Sequence, residues 1–176
     1  PAEQRRAFEL QLGLAALHGM PLFLHQREAH ADFLAMLREH PAVSSRAVLH
    51  CFTGDAAELE DCLGAGLSIG ITGWICDERR GQALREAVGR IPDGRLMLES
   101  DGPYLLPRTL QPKPAHRRNE PMYLPIVLEA VAACRRQPPA QVAAFTTANA
   151  LRFFDLMPAT SPAADDRPLR QFTNTA

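Results

Sequence analysis

The sequence predicts an α/β fold built on parallel strands, and three observations support this. Four short apolar runs lie at residues 22–25, 47–51, 67–72 and 95–100, each followed by a loop and an amphipathic helix pattern. Each run is continuously apolar rather than alternating, as expected when both faces of a parallel sheet are covered. The strand ends recur about every 25 residues, which is typical of a (β/α)₈ barrel or an open parallel sheet.

Helix patterns fill the segments around the strands. The predicted helices span residues 3–17, 28–39, 56–65, 77–88, 122–137 and 140–154. Asp55 can cap the third helix and Gly66 can end it, while Pro41 and Pro92 follow two others. The order of elements is therefore a repeated strand–helix unit, with one helix before the first strand.

Four strands are half of the eight in a (β/α)₈ barrel. The chain begins at Pro1 inside a helical pattern, and its first methionine is Met20. We therefore expect a missing N-terminal stretch of about 80–100 residues, which would hold the other four strands at the same spacing.

The bulk composition indicates one globular domain. With 176 residues, 46% hydrophobic and 22% charged, the chain is long enough to bury a sizeable core. We expect the domain to span residues 1–157. Residues 158–176 are expected to form a disordered tail, because they are rich in Pro, Ala, Thr and Asp without apolar periodicity.

Charge and cysteine content argue against several classes of protein. The net charge of −1 gives no overall positive field, so nucleic-acid binding would need a local basic patch. Four scattered cysteines without a C-x-x-C pair argue against a zinc ribbon or a disulfide framework and favour the reducing cytoplasm. There is no apolar run of about 18 residues, so we expect no membrane contact.

Polar residues stand at the ends of three of the four predicted strands. His25 ends PLFLH, His50 ends AVLH and Asp101 ends LMLESD. In a parallel barrel the C-terminal ends of the strands meet at one mouth, so these side chains are expected to converge. Two imidazoles and a carboxylate are donors that a divalent metal takes. One strand-end histidine alone would more often cap a loop, so the hypothesis depends on all three.

Five segments together resemble the TatD family of metal-dependent deoxyribonucleases: PLFLHQREAH, AVLHCFTGD, IGITGWICDERRG, LMLESDGPYLLPR and RRNEPMYLP. The resemblance extends from residue 1 to about residue 156. It implies a (β/α)₈ TIM barrel of the metallo-dependent hydrolase type, of which this chain would contain the C-terminal half, strands five to eight. It also implies that His25 and His50 are metal ligands of strands five and six, and that Asp101 is the ligand of strand eight. The family's glutamate ligand and His-x-His pair from earlier strands have no counterpart here.

Asp101 is the predicted catalytic residue as well as a metal ligand. A carboxylate beside the ion can accept the proton of the attacking water, because the metal lowers the pKa of that water. By the resemblance, the reaction is cleavage of DNA phosphodiesters by a cytoplasmic 3'-5' exonuclease acting on single-stranded ends, with RNA as a further substrate. The donors admit Zn²⁺, Mn²⁺ or Mg²⁺. The expected cofactor is Mg²⁺ or Mn²⁺, with Zn²⁺ as the alternative. We expect a monomer for the full-length protein.

A basic loop follows the fourth strand. Residues 102–119 contain no acidic residue, and we predict that Arg108, Arg117 and Arg118 bind phosphate there, together with Arg27 beside the first ligand. Tyr104 is a predicted substrate-binding residue that could stack on a base. Trp74 could stack in the same way.

The alternative interpretation of the loop is a solvated segment whose arginines pair with Glu78 or Glu120.

Near the ligands, strand alternation predicts that Glu99 shares the inward direction of Asp101 and bonds within the barrel. The same alternation predicts that Cys51 packs behind His50.

Two further functions remain open from the sequence. The same mouth could cleave an ester or amide, for instance on an aminoacyl-tRNA, as a metal-dependent esterase or deacylase. Alternatively the chain is an inactive half-barrel fragment, because half a barrel exposes two sheet edges that invite pairing and lacks several expected ligands.

Overall fold

The four predicted strands form one parallel sheet. The computed structural model describes residues 2–156, so the predicted disordered tail at 158–176 lies outside the described residues. The strands pair in the order in which they follow along the chain: β1 Leu22–Leu24, β2 Ala47–Leu49, β3 Ser68–Ile71 and β4 Leu96–Leu98. This order has no reversal, whereas a doubly wound sheet reverses at a switch point.

Each strand ends one or two residues earlier than the apolar run predicted. The residues beyond β2 and β4 turn away from the sheet, since Cys51 and Asp101 have φ of 50° and 56°, in the left-handed region. Two backbone hydrogen bonds extend the pairing past β2: the N–H of His50 donates to the carbonyl of Leu24 at 2.7 Å, and the N–H of Phe52 donates to the carbonyl of Gly70 at 3.0 Å. The predicted site residues therefore lie just outside the strands, in the connections that leave the sheet.

Within residues 2–156, seven helices and several short 3₁₀ turns connect and flank the strands. Asp55 caps α4 by accepting hydrogen bonds from the N–H groups of Ala57 and Glu58, as predicted, and Gly66 follows the helix with φ of 90°. The bounds are α1 Ala2–His18, α2 His30–Arg38, α3 Pro41–Ser44, α4 Ala56–Gly64, α5 Gln82–Ala87, α6 Leu124–Arg135 and α7 Pro139–Phe153.

The predicted start of the helix at residue 77 is wrong. Asp77 is buried, and its Oδ1 accepts hydrogen bonds from the backbone N–H groups of Arg79 and Arg80. An aspartate that bonds its own following backbone favours a turn over a helix, so α5 begins only at Gln82. This turn places the Asp77 carboxylate inside the structure instead of on a helix surface.

The two faces of the sheet have different surroundings. Leu49, Ile69 and Leu96 share one buried cluster with apolar side chains of the helices. The alternate positions point to the opposite face, where Phe23 of β1 remains 55% exposed. The apolar runs predicted cover on both faces, and within residues 2–156 the second face is covered unevenly, because Val48 and Met97 are buried while Phe23 is exposed. His50 follows on the less covered face, because it is two residues after Val48.

None of the helices within residues 2–156 combines the length and the apolar character that a membrane crossing requires.

Candidate active site

His50 lies between two carboxylates just beyond β2. Its Nδ1 is 2.7 Å from Oε2 of Glu99, and its Nε2 is 3.1 Å from Oδ1 of Asp101. All three side chains are largely buried, with exposures of 16%, 13% and 25%. An imidazole held at both nitrogens has a fixed ring orientation, which is what a metal-binding histidine requires.

Glu99 bonds within the sheet, as alternation predicted. Its Oε2 accepts a hydrogen bond from the N–H of Cys51 at 3.1 Å, in addition to the contact with His50. Burial raises the pKa of Glu99, while the neighbouring imidazole and the N–H of Cys51 oppose that rise. The carboxylate at Nδ1 favours the His50 tautomer that leaves Nε2 free to face Asp101.

Gly70 makes room for the Glu99 side chain. Gly70 lies in β3, and a Cβ added there would lie 2.3 Å from Oε1 of Glu99. Glu99 follows β4, so its side chain crosses β3 at Gly70 to reach His50 beyond β2. A residue without a side chain at this position is therefore needed for the contact between Glu99 and His50.

The expectation that Cys51 packs behind His50 is wrong. Ligand atoms of His50, Cys51 and Asp101 all lie within 4.8 Å of one another, so the thiol belongs to the same group of donors. Strand alternation no longer applies at Cys51, because its φ of 50° follows the end of β2. Its Sγ also lies 3.4 Å from Oγ1 of Thr72. Burial raises the pKa of the Cys51 thiol.

His25 lies beside this group. The centre of its imidazole ring is 5.8 Å from that of His50, and His25 is exposed to solvent. Two imidazoles on one tetrahedral ion would have ring centres roughly 5 Å apart, given metal–nitrogen bonds of about 2.1 Å. The structure therefore brings His50 and Asp101 together and places His25 near them, outside the three-residue group.

The donor set fits a divalent cation. Imidazole nitrogen, carboxylate oxygen and thiol sulfur are ligands of zinc, and nitrogen with oxygen also suits manganese. The separation of 3.1 Å between His50 Nε2 and Asp101 Oδ1 is close to the spacing of two donors on one ion.

Arg108 pairs with an acid that the sequence analysis did not consider. Its Nε lies 3.2 Å from Oδ2 of Asp77, whereas the alternative interpretation of the loop had named Glu78 or Glu120 as partners of its arginines. Burial of the Asp77 carboxyl would raise its pKa, but hydrogen bonds from Arg80 and the N–H of Arg79, with the charge of Arg108, lower it to about 2. Arg108 therefore joins the basic loop to the turn that precedes α5.

The other predicted substrate-binding residues are exposed. Tyr104 is 70% exposed, and its N–H donates to the carbonyl of Asp101 at 2.8 Å. Among the described residues, Arg27, Arg117 and Arg118 form no ion pair.

Arg118 lines a cavity of about 580 Å³ that also touches Ser100 and Gly102. Trp74 is less free to stack on a base than predicted, because the Arg80 guanidinium lies 4.3 Å from the centre of its ring.

Asn119 is a site residue to which sequence reasoning gave no role. It is buried, and its Nδ2 donates to the carbonyl of Ser100 at 2.6 Å. Its N–H donates to the carbonyl of Pro103 at 3.0 Å. The end of the basic loop is thereby attached to its beginning, on both sides of Asp101. A neutral residue between Arg118 and Glu120 gave no signal that it would be buried.

Comparison with known proteins gives consistent results. The sequence model of the family described as "TatD related DNase" matches residues 1–155. The chain is 56% identical over 156 residues to the 3'-5' ssDNA/RNA exonuclease TatD of Musicola paradisiaca, covering 89% of this chain and 59% of that protein. It is also 56% identical over 154 residues to the protein of the same name from Dickeya dadantii, covering 88% and 58%. The chain thus spans about three-fifths of the length of the curated relatives it matches.

Solved structures are similar to the sheet and its helices. A TatD homolog from Escherichia coli K12 superposes with a TM-score of 0.72 at 27% identity, covering 82% of this chain and 54% of that one. An uncharacterized amidohydrolase from Saccharomyces cerevisiae superposes with a TM-score of 0.74 at 21% identity, covering 86% and 59%, which is a likeness of fold alone. These matches support a hydrolase fold of the TIM-barrel type.

Proposed function

Because the chain belongs to the TatD related DNase family, we propose that the protein is a metal-dependent nuclease that removes nucleotides from the 3' ends of single-stranded DNA. The curated relatives are named for activity on both ssDNA and RNA, so RNA is included as a second substrate. The observation that carries the proposal is the position of His50, which Glu99 and Asp101 hold at 2.7 and 3.1 Å.

The four strands are, in this proposal, strands five to eight of a (β/α)₈ barrel. The order of the strands supports it, since neighbours in the sheet follow one another along the chain. The location of the site supports it as well, because His50 and Asp101 lie at the C-terminal ends of the strands. The share of 54–59% of the solved structures that the chain covers agrees with a partial barrel.

An inactive fragment is the alternative. A calorimetric titration with Mn²⁺ of this chain and of a form with eight strands separates the two. Weaker binding by this chain supports the half-barrel proposal, and equal affinity would contradict the view that earlier strands supply ligands.

The metal ligands of the proposal are His25, His50 and Asp101, and the ion is Mg²⁺ or Mn²⁺, with Zn²⁺ as the alternative. When bound, the ion supplies a water of lowered pKa and stabilises charge on the phosphoryl oxygens. Asp101 serves as the proton acceptor, because its carboxylate faces the site at the end of β4. Glu99 orients His50 through Nδ1 and does not contact the substrate.

Substrate phosphates are held by the exposed cations near the centre. Arg27, Arg117 and Arg118 have no acidic partner among the described residues, so their charges are available to an anionic ligand. Arg108 stays a predicted phosphate ligand, although the contact with Asp77 occupies its Nε. Tyr104 is exposed beside Asp101 and can stack on the terminal base. A cytoplasmic location belongs to the same proposal, since all four cysteines are free.

The test is hydrolysis of end-labelled single-stranded DNA with Mg²⁺ or Mn²⁺ by the protein and by His50→Ala. We expect mononucleotide release by the protein and a loss of at least about 100-fold in the variant, because a ligand and its fixed geometry are removed. His18→Ala, an exposed histidine at the end of α1, is the matched control and should keep the rate. A full rate in His50→Ala would show that the site is assigned to the wrong residues.

A further inference from the structure

A groove of about 1120 Å³ lies between the turn before α5 and the basic loop. Residues 77–79 line one wall and residues 106–111 and 113–117 line the other, and we call this the basic groove. We propose that the basic groove binds the phosphate backbone of a single-stranded nucleic acid, holding the nucleotides that extend away from the scissile end. The proposal rests on the proposed function and adds where the rest of the substrate strand lies.

The charge of the basic groove differs from that of the chain. Four cationic side chains line it against two carboxylates, whereas the whole chain has a net charge of −1. One of those carboxylates, Asp77, is buried and already bound by Arg80 and Arg108. A surface with an excess of cations is what a polyphosphate strand needs, because binding releases the counterions of its phosphates.

Three of the four cations of the groove have no acidic partner within residues 2–156. Among the described residues, Arg79, Lys113 and Arg117 make no ion pair, and all three are exposed. Arg79 lies on one wall, while Lys113 and Arg117 lie on the other. Cations on both sides of a groove can contact successive phosphates of a strand that runs between them.

The two walls of the basic groove contact each other directly. The contact between Arg108 and Asp77 connects the loop to the turn. The start of the loop also packs closely on the 3₁₀ turn after β3, since a Cβ added to Gly73 would lie 2.1 Å from the carbonyl oxygen of Leu105. A binding surface whose shape exists before the ligand arrives loses less entropy on binding.

The basic groove is connected to the metal ligands by a short segment. Tyr104 follows Asp101 by three residues and bonds to its carbonyl, and the loop wall begins at Leu106. Along the chain, Tyr104 therefore lies between the proposed proton acceptor and the loop wall, and it is 70% exposed. A strand with its end at Asp101 could stack a base on Tyr104 and place its following phosphates in the basic groove.

The chemistry of the groove favours a strand over a small ligand. Sites for small molecules are mostly apolar cavities of about 300–1,000 Å³. This groove has a volume of about 1120 Å³ and is lined by four cationic side chains. Single-stranded nucleic acid also supplies the base that an exposed tyrosine can stack on, which an intact duplex does not. Duplex binding is therefore an outcome that the experiment must distinguish.

The test is fluorescence anisotropy of a 5'-labelled deoxythymidine oligonucleotide with the full chain in chelator, so that no hydrolysis occurs. Arg79→Ala/Lys113→Ala removes one free cation from each wall. We expect about tenfold weaker binding, and a salt dependence of log K that is less steep by about 1.4, which corresponds to two lost phosphate contacts. The control is Arg6→Ala/Arg38→Ala, which removes two exposed arginines of α1 and α2 outside the groove and should leave both values unchanged.

Three outcomes would overturn the proposal: equal affinity and equal salt slope in the groove variant, no binding by the unsubstituted chain, or tighter binding of a duplex of the same length. Lys113→Ala alone, a single exposed position, should give about half the change in slope and guards against a folding defect in the double variant. The readout is independent of the hydrolysis assay. Binding through the groove without hydrolysis would contradict the proposed function alone, and hydrolysis with unaltered binding in the groove variant would contradict the groove alone.

Discussion

The strand-end centre, formed by His50, Glu99 and Asp101, and the basic groove differ in how their charged side chains are paired. At the centre, His50 is enclosed by Glu99 and Asp101, and each charged group has a partner within 3.1 Å. In the groove, Arg79 and Lys113 are exposed and make no ion pair among the described residues. Paired and buried charges fix geometry, whereas unpaired exposed charges attract a ligand and are screened by salt. We therefore expect substitutions at the centre to change metal binding and substitutions in the groove to change salt-dependent affinity.

The largest effect is expected from Glu99→Gln. The variant keeps the size of the side chain but removes the charge that fixes the tautomer and orientation of His50. Partners of this kind typically contribute 10–100-fold to metal affinity, so we expect a loss of about that size in a calorimetric titration with Mn²⁺. Glu129→Gln, an exposed residue of α6, is the control.

Gly70→Ala tests the contact between Glu99 and His50 in a second way. The added methyl group would occupy the place of the Glu99 carboxylate, so Mn²⁺ affinity should fall as it does in Glu99→Gln. The free energy of unfolding of the metal-free protein, measured by thermal unfolding, should also fall by about 1–3 kcal/mol, the usual cost of overpacking. Unchanged affinity in both variants would mean that Glu99 does not position His50.

A smaller effect is expected from Asp77→Asn, and it depends on pH. The folded pKa of Asp77 is lowered to about 2 from an ordinary value of 3.8, so the folded state binds fewer protons at this site than the unfolded state. The stability that this provides is complete above about pH 4 and is lost as the pH falls through 2. We estimate it at about 1–2 kcal/mol, because Arg80 and Arg108 are half exposed and solvent screens them.

Urea unfolding at pH 6, 4, 3 and 2 measures this contribution. The variant should be less stable than the protein at pH 6, and the two should converge toward pH 2. Glu99 acts with the opposite sign: its raised pKa contributes stability that is present at low pH and lost as the pH rises. Glu99 is present in both the protein and the variant, so its contribution cancels in the comparison. Asp155→Asn, an exposed residue after α7, is the control. A constant difference at all four pH values would contradict the assigned pairing.

The smallest effect is expected from Arg117→Ala/Arg118→Ala, and it separates the nuclease from the esterase hypothesis. Loss of two exposed cations should raise KM for single-stranded DNA by about five- to tenfold at low salt, and less at high salt. Hydrolysis of a small uncharged ester, if the protein catalyses it, should be unchanged, because such a substrate carries no phosphate for these residues to bind. An equal loss for both substrates would show that the two arginines act on the centre and not on the phosphates.

The fold was largely predictable because its signals are local. Apolar runs mark strands, and a polar residue at the end of a run, such as His50, marks the edge where function is built. The direction of Glu99 followed from alternation, since the chain is still extended there. Cys51 could not be predicted, because its left-handed backbone depends on how the connection leaves the sheet. The partner of Arg108 was missed for a similar reason: Asp77 was assigned to a helix that begins five residues later.

The absence of a side chain at Gly70 has a consequence for the whole sheet. The acid that follows β4 passes over β3 and orients an imidazole that follows β2, so three adjacent strands must keep their register for this arrangement to exist. Anyone transplanting the proposed metal site into another scaffold would have to move Gly70 in β3 together with Glu99 after β4 and His50 after β2, because the contact between Glu99 and His50 needs the space that Gly70 leaves.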